Sequence, residues 1–396
     1  MITIGFVVQR YGREVIGGSE SLARDLAERL VREGFRVVVF TTCARDYLTW
    51  RNEYPAGESL LRGVTIRRFP VRHERNIDDF NRFSERFFAA AAVDRDEREW
   101  LEAQGPFCPD LVDALAAAQG EIDLFFFFTY LYYPTVIGSG VVRQPLVLFP
   151  TAHDEAPIYL EAMKKLFARP RALFFLTQAE MELTQRLFSP TGSMRLVRTG
   201  IDIPSDVSDK AFRRKHLLVA PYLLFAGRIE KGKGLEAVFD YYRALKYEAY
   251  VELVLIGKKL MDVPVIQGVK YLGYVSEADK LAAFKGALFS LQPSPLESLS
   301  ITTLESFSNA TPVLVNRRCA ALLEHVDMSG GGLAYDNQEE FLAAFRRLYR
   351  RPVLRAAMGA KGLEYVKKYY SWDAVLTEIK KGIGEVLSLQ AQPAKI

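Results

Sequence analysis

Apolar positions along this chain alternate between short unbroken runs and longer stretches with helical spacing. Runs at 2–8, 36–42, 64–69, 124–128, 145–152, 172–177 and 194–200 have the length and the branched or aromatic content of buried strands. Between the first two, Leu22, Leu26 and Leu30 join Ala23, Ala27 and Val31 in one apolar stripe. That spacing predicts a helix over 19–33, ended at Gly34. Residues 80–105 predict one long helical excursion. Strands that alternate with helices imply parallel sheets, hence an α/β architecture.

Near residue 200 the rhythm restarts. The stretch TGIDIPSDVSD (199–209) is polar and carries a proline, as a linker would. Beyond it, strands are predicted at 221–227, 251–257, 269–275, 288–294 and 311–316. Helices are predicted from Gly234, over 277–287 and from near Ser300. A helical tail from Glu339 breaks at YYSW (369–372) before one last helix. The expectation is two doubly wound halves with a cleft between them. Ligands of such sheets sit beyond the carboxyl ends of the strands, so the loops after 2–8, 221–227 and 288–294 carry the chemistry.

Composition narrows the class. With 396 residues, 49% of them hydrophobic and 25% charged, the chain is globular and long enough for two cores. Its net charge of +4 favours anionic ligands only mildly. Cys43, Cys108 and Cys319 show no paired spacing, which predicts free thiols in a reducing compartment. MITIGFVV reads as a strand and lacks the features of a signal peptide; LFFFFTYLYYP (124–134) is too short to span a bilayer. A cytoplasmic protein is expected. Arginine-rich segments at 67–75 and 345–355 come without a nucleic-acid motif, so no nucleic-acid partner is expected. The first of them, with 164–171, is a candidate peripheral surface for the inner face of a membrane. The DRD at 94–96 reads as a solvated face of a charged helical run.

Four segments carry candidate chemistry. YGREVIGGSE (11–20) sets Gly17 and Gly18 at the start of a helix, where bare backbone and unpaired N–H groups suit an anion. It lacks the dinucleotide fingerprint, and the glycines could equally serve only the turn. GRIEKGKG (227–234) follows a phosphate-loop pattern up to Lys233, then has Gly234 where a hydroxyl would hold magnesium. Arg228 and Lys233 there are suited to a diphosphate, or else form a solvated basic loop. In ESLSITTLE (297–305), Glu297 falls in a loop and Glu305 inside the following helix. No metal-ligand spacing lies nearby, and two carboxylates suit a polyhydroxylated ligand. PTAHDEAP (150–157) puts His153 just past a strand beside Asp154 and Glu155, a catalytic or a structural position. His73, His216 and His325 have no such setting.

Together these segments resemble the retaining glycosyltransferases of family 4, enzymes of the GT-B fold. GGSE, TAHDE, AGRIEKGKG, PSPLESLSITTLESFSNATPVLV and YYSWDAV carry the resemblance over nearly the whole chain. It implies an acceptor-binding domain at 1–199 joined by the last helix at 372–396, and a donor-binding domain at 200–371. Each would be Rossmann-like, and the two would face a central cleft. The resemblance implies that Arg228 and Lys233 hold the diphosphate of a nucleotide-sugar, with no metal or other cofactor. By the same resemblance Glu297 meets the donor sugar's hydroxyls, helped by backbone N–H groups at Leu299 and Ser300, and Glu305 binds the ribose. Gly17 and Gly18 would border the phosphates, His153 would lie near the reacting sugar, and VKYLGYV (269–275) would line the base pocket. The implied reaction moves a hexose to a hydroxyl of a glycan, lipid-linked or small-molecule acceptor. An epimerase of the same fold, or a sugar-binding module without catalysis, is the alternative. Two departures stand out: Ser298-Leu299-Ser300 replaces the family's glycine-containing sequence, and Ala310 stands where a glycine usually ends the helix, with Asn309 a candidate cap.

Overall fold

A computed structural model describes residues 1–245 and 248–388. The chain divides into two compact units. One comprises Met1–Leu176, Glu180–Val197 and the chain from Leu376; the other comprises Thr177–Ala179 and Arg198–Val375.

The first unit is built on an eight-stranded sheet: β1 (Thr3–Val7), β2 (Arg36–Thr42), β3 (Gly57–Leu61), β4 (Val64–Phe69), β5 (Leu124–Phe128), β6 (Leu146–Phe149), β7 (Ala172–Phe175) and β8 (Ser193–Leu196). Their order is β3-β4-β2-β1-β5-β6-β7-β8. All neighbours run parallel except β3 and β4. That hairpin closes on Arg62 and Gly63, both at positive φ, the two-residue turn that suits a twisted ribbon. β3 has no counterpart among the expected strands. Four of its five residues are exposed, so an edge strand of this kind carries no apolar signal.

Phenylalanines fill both faces of the sheet. Phe6, Phe126, Phe128, Phe149 and Phe174 interlock on one side, with ring centroids 4.8–5.9 Å apart. Phe40, Phe125 and Phe127 pack on the other. The expected helical excursion at 80–105 is two helices, Ile77–Ala89 and Glu97–Gln104. The Asn76 side chain caps the first, and Asp96 caps the second by accepting from Arg98 and Glu99 N–H groups at 3.0 Å. Asp96 of the DRD stretch therefore opens a helix instead of lying along one.

The second unit has six parallel strands: β9 (Tyr222–Ala226), β10 (Glu252–Ile256), β11 (Val269–Tyr271), β12 (Phe289–Gln292), β13 (Val313–Asn316) and β14 (Gly332–Tyr335), in the order β11-β10-β9-β12-β13-β14. β11 is shorter than the expected 269–275. β14 and the helix Ala320–Ser329 before it answer to no expected element, because SGGGLAY breaks the apolar run with three glycines. Strand order reverses between β9 and β12, so the crevice beyond their carboxyl ends is where a ligand belongs.

Two helices close the chain, Pro352–Tyr369 and Trp372–Ser388, broken at 370–371. From Leu376 the last helix belongs to the first unit. Arg195 holds Glu378 at 2.7 Å and Glu385 at 2.5 Å, and Gly382 lies flat against Phe174, where a Cβ would come within 2.3 Å of the ring. Residues 389–396 of that expected helix lie outside the described residues. Among the described residues, no helix is long and apolar enough to cross a membrane.

Candidate active site

In the second unit, the loops leaving β9 and β12 bring two of the expected residues together. Lys233 closes a single 3-10 turn, Lys231–Lys233, and its Nζ lies 2.5 Å from Glu297 Oε1. Both side chains stay about one-fifth accessible. Gly234 follows at φ +71, and a Cβ there would approach the Pro293 carbonyl oxygen to 2.4 Å. Only glycine fits, which accounts physically for the absent hydroxyl of a phosphate loop. Arg228 leaves β9 first, its Nη2 lying 3.0 Å from Glu230 Oε1. The crevice thus holds two cations on one loop pair, Lys233 against Glu297 and Arg228 against Glu230. Ammonium and guanidinium donors suit phosphate oxygens, and a carboxylate accepts from hydroxyls.

Beyond Glu297 the backbone turns sharply. Ser300 sits at φ +68 just before the helix Ile301–Ser308, a left-handed conformation that favours glycine. Its hydroxyl contacts Thr303 Oγ1 at 2.9 Å and Thr302 Oγ1 at 3.3 Å, and Thr302 also donates to Gln292 Oε1 at 3.0 Å. Ser300 thus adopts a conformation that suits glycine and joins a cluster of hydroxyls with Thr302 and Thr303. Ala310 likewise sits at φ +55. Asn309 is not the left-handed residue; its side chain instead donates to the Glu305 carbonyl at 2.9 Å and so caps the helix end.

Glu305, the fifth residue of that helix, pairs not with Glu297 but with Lys280 at 2.6 Å. Lys280 also meets Glu277 at 3.0 Å. Burial pushes the Glu305 carboxyl up, and the Lys280 charge pulls it back only in part. Burial would lower Lys280, but Glu305 and Glu277 raise it above the ordinary lysine value. Lys280 was not legible as a site residue, since 25 positions separate it from its partner.

In the first unit, Gly17 precedes the helix Gly18–Arg32 and no side chain caps that N-terminus. A Cβ on Gly17 would lie 2.1 Å from Glu20 Oε2. Glu20 is buried and accepts from Gln9 at 2.8 Å and Arg10 at 2.5 Å. Glycine here is required by that buried ion pair, whatever anion the helix end meets. His153 follows β6, with Nε2 3.4 Å from Glu155 Oε1, and Tyr130 donates to the same oxygen at 2.5 Å. Burial would raise the Glu155 carboxyl, but the His153 contact and the Tyr130 hydroxyl bring it below its ordinary value. All three cysteines are free and buried. Among the described residues, no group of three or more His, Cys, Asp or Glu side chains could hold a metal ion.

His325, which has no telling neighbours in the sequence, is the further residue packed against this site. It is fully buried and its Nε2 lies 2.7 Å from the Leu299 carbonyl oxygen.

The two Rossmann-like units have the GT-B arrangement of strands and helices, and residues 208–365 match the family model described as glycosyl transferases group 1. Among particular relatives, a GDP-mannose-dependent monoacylated alpha-(1-6)-phosphatidylinositol monomannoside mannosyltransferase of Corynebacterium glutamicum is 20% identical over 235 residues. That match covers 54% of this chain and 62% of the relative, less than two thirds of its length. Sucrose-phosphate synthase (tll1590) from Thermosynechococcus elongatus superposes with a TM-score of 0.77 at 16% identity, over 98% of this chain and 100% of that one. Anabaena Alr3699/HepE, in complex with UDP and glucose, gives a TM-score of 0.70 at 16% identity with the same coverage. At these identities the solved structures show a shared fold.

Proposed function

We propose that the protein is a retaining glycosyltransferase that moves a hexose from a nucleoside-diphosphate sugar to a hydroxyl of a glycan, lipid-linked or small-molecule acceptor, without a metal. The observation that carries this reading is the Lys233–Glu297 pair at the carboxyl ends of neighbouring strands β9 and β12. A cation for phosphate and a carboxylate for hydroxyls stand side by side there, as a sugar diphosphate requires. The family match over 208–365 supports it, and so does the nucleotide-sugar chemistry named for the relatives.

In the proposed reaction the bond from the anomeric carbon to the diphosphate oxygen breaks. Charge grows on the leaving diphosphate, and Arg228 with Lys233 stabilises it. The acceptor oxygen bonds to the anomeric carbon on the same face, and its proton passes to the departing phosphate oxygen. Glu297 accepts from the sugar's hydroxyls and Glu305 from the ribose. His153 lies near the transferred sugar in this reading. Gly17 and Gly18 border the phosphates from the first unit's sequence, and VKYLGYV lines the base pocket. A cytoplasmic location, with basic segments 67–75 and 164–171 against the inner face of a membrane, fits a lipid-linked acceptor.

The experiment is a thermal-shift and donor-hydrolysis screen of the purified protein over UDP-, GDP-, ADP- and dTDP-sugars. One donor should stabilise the protein and be slowly hydrolysed. Binding without any turnover, even with added acceptors, would favour a non-catalytic module. No binding by any donor would defeat the reading.

A further inference from the structure

His325 projects from the helix Ala320–Ser329 into a fully buried position, and both of its ring nitrogens are engaged. Nε2 faces the Leu299 carbonyl at 2.7 Å, while Nδ1 faces the Tyr365 hydroxyl at 3.1 Å. A carbonyl can only accept, so Nε2 carries the proton and Nδ1 accepts from Tyr365. Tyr365 has then spent its proton and accepts from Tyr370, 3.1 Å away. The result is a directed chain, Tyr370 to Tyr365 to His325 to the Leu299 oxygen. Burial pushes His325 down to about 4, which keeps the ring neutral in this tautomer at physiological pH.

The chain ends on one peptide. Leu299 C=O and Ser300 N–H belong to the same planar unit and point in opposite directions. Holding the oxygen against His325 fixes the Ser300 N–H on the opposite side of the peptide, facing away from the imidazole. This peptide needs holding, because Ser300 is kept at φ +68, which costs a non-glycine residue roughly 1–2 kcal/mol. A glycine there would meet no such resistance; here a buried imidazole supplies the constraint.

We propose that His325 is a positioning residue: by clamping the Leu299 carbonyl it sets the 299–300 peptide so that its N–H meets the sugar portion of the donor. The inference rests on the reading of 297–300 as the donor-sugar loop. A histidine with a merely structural role would affect stability and leave the sugar contribution to binding unchanged.

The test compares affinities for UDP and UDP-glucose, and for GDP and GDP-mannose, in wild type, His325→Leu, His325→Gln and Tyr365→Phe, each checked for folding by circular dichroism. In His325→Leu, affinity for the free nucleotide should stay within about twofold, whereas the added affinity and turnover from the sugar fall about tenfold or more, the size of one lost hydrogen bond at a buried group. His325→Gln, whose amide can still donate to the carbonyl, should recover most of the loss. Tyr365→Phe removes the hydroxyl that holds Nδ1, so the ring sits less firmly against the carbonyl, and should lose severalfold; it also serves if the leucine variant does not fold. Unchanged sugar discrimination in folded His325→Leu, or in Tyr365→Phe if the former is unfolded, overturns the inference while the proposed function stands. Wild-type protein that binds neither sugar nucleotide overturns both.

Discussion

Glu305 is pulled two ways: burial favours its neutral acid, while Lys280 at 2.6 Å favours the carboxylate. Lys280 also binds one oxygen, so the carboxylate is oriented as well as charged. If Glu305 reads the ribose, Lys280→Met should weaken nucleoside-diphosphate binding and shrink the preference for ribo- over 2′-deoxyribonucleotides about tenfold. Titration calorimetry with UDP and 2′-deoxy-UDP, or the guanosine pair, checks this; an undiminished preference would contradict it. His325 gives a second prediction. Its folded pKa of about 4 lies below the 6.5 of a free histidine, so the unfolded chain takes up a proton first as pH falls. The groups facing it are the Leu299 carbonyl, Tyr365 and Tyr370; burial lowers its pKa most, the Leu299 carbonyl raises it in part, and the Arg198 charge lowers it further. Its contribution, roughly 3 kcal/mol on the linkage relation, is present above about pH 6.5 and lost as pH falls toward 4. Denaturant titrations across that window should show a steeper acid loss in wild type than in His325→Leu. Neither residue was legible in the sequence, because a buried histidine and a long-range lysine declare themselves only through partners distant along the chain.

At the scale of the element, most regular segments follow from the hydrophobic pattern. β2, β4 and β5 coincide with the runs 36–42, 64–69 and 124–128, since each is buried on both faces or alternates cleanly. The pattern fails where burial does, at exposed β3, and where glycines interrupt it, at β14. It also joins what caps divide: Asp96 begins a second helix inside the apparent run 80–105, and the first already starts after Asn76. The turn after the helix Ile301–Ser308 offers a prediction at this scale. Ala310 stands at φ +55, and its carbonyl packs so close to Gly359 that a Cβ there would come within 1.9 Å. Ala310→Gly relieves the left-handed strain and should stabilise the protein by about 0.5–1 kcal/mol. Gly359→Ala should destabilise it by more than that, as read from thermal or urea unfolding. A destabilised Ala310→Gly would mean that the strain is not felt.

For the whole molecule, alternation of strand and helix was enough to read two parallel-sheet units, and the fold comparisons agree over nearly the full length. The positions of Lys233 and Glu297 at strand ends were legible from the pattern, because each follows an apolar run that breaks into a loop. Their direct pairing across 64 residues was not, since strand order decides it: β9 and β12 are neighbours only because the sheet reverses between them. That pair is the centre of the functional account, and its removal tests the account most directly. Donor hydrolysis and transfer should be measured for Lys233→Ala and Glu297→Ala beside wild type, with the donor found in the screen and folding checked by thermal unfolding. The account predicts folded variants whose turnover falls about 10²–10³-fold or more, the scale of a lost transition-state contact. Near-normal turnover in either variant would contradict it.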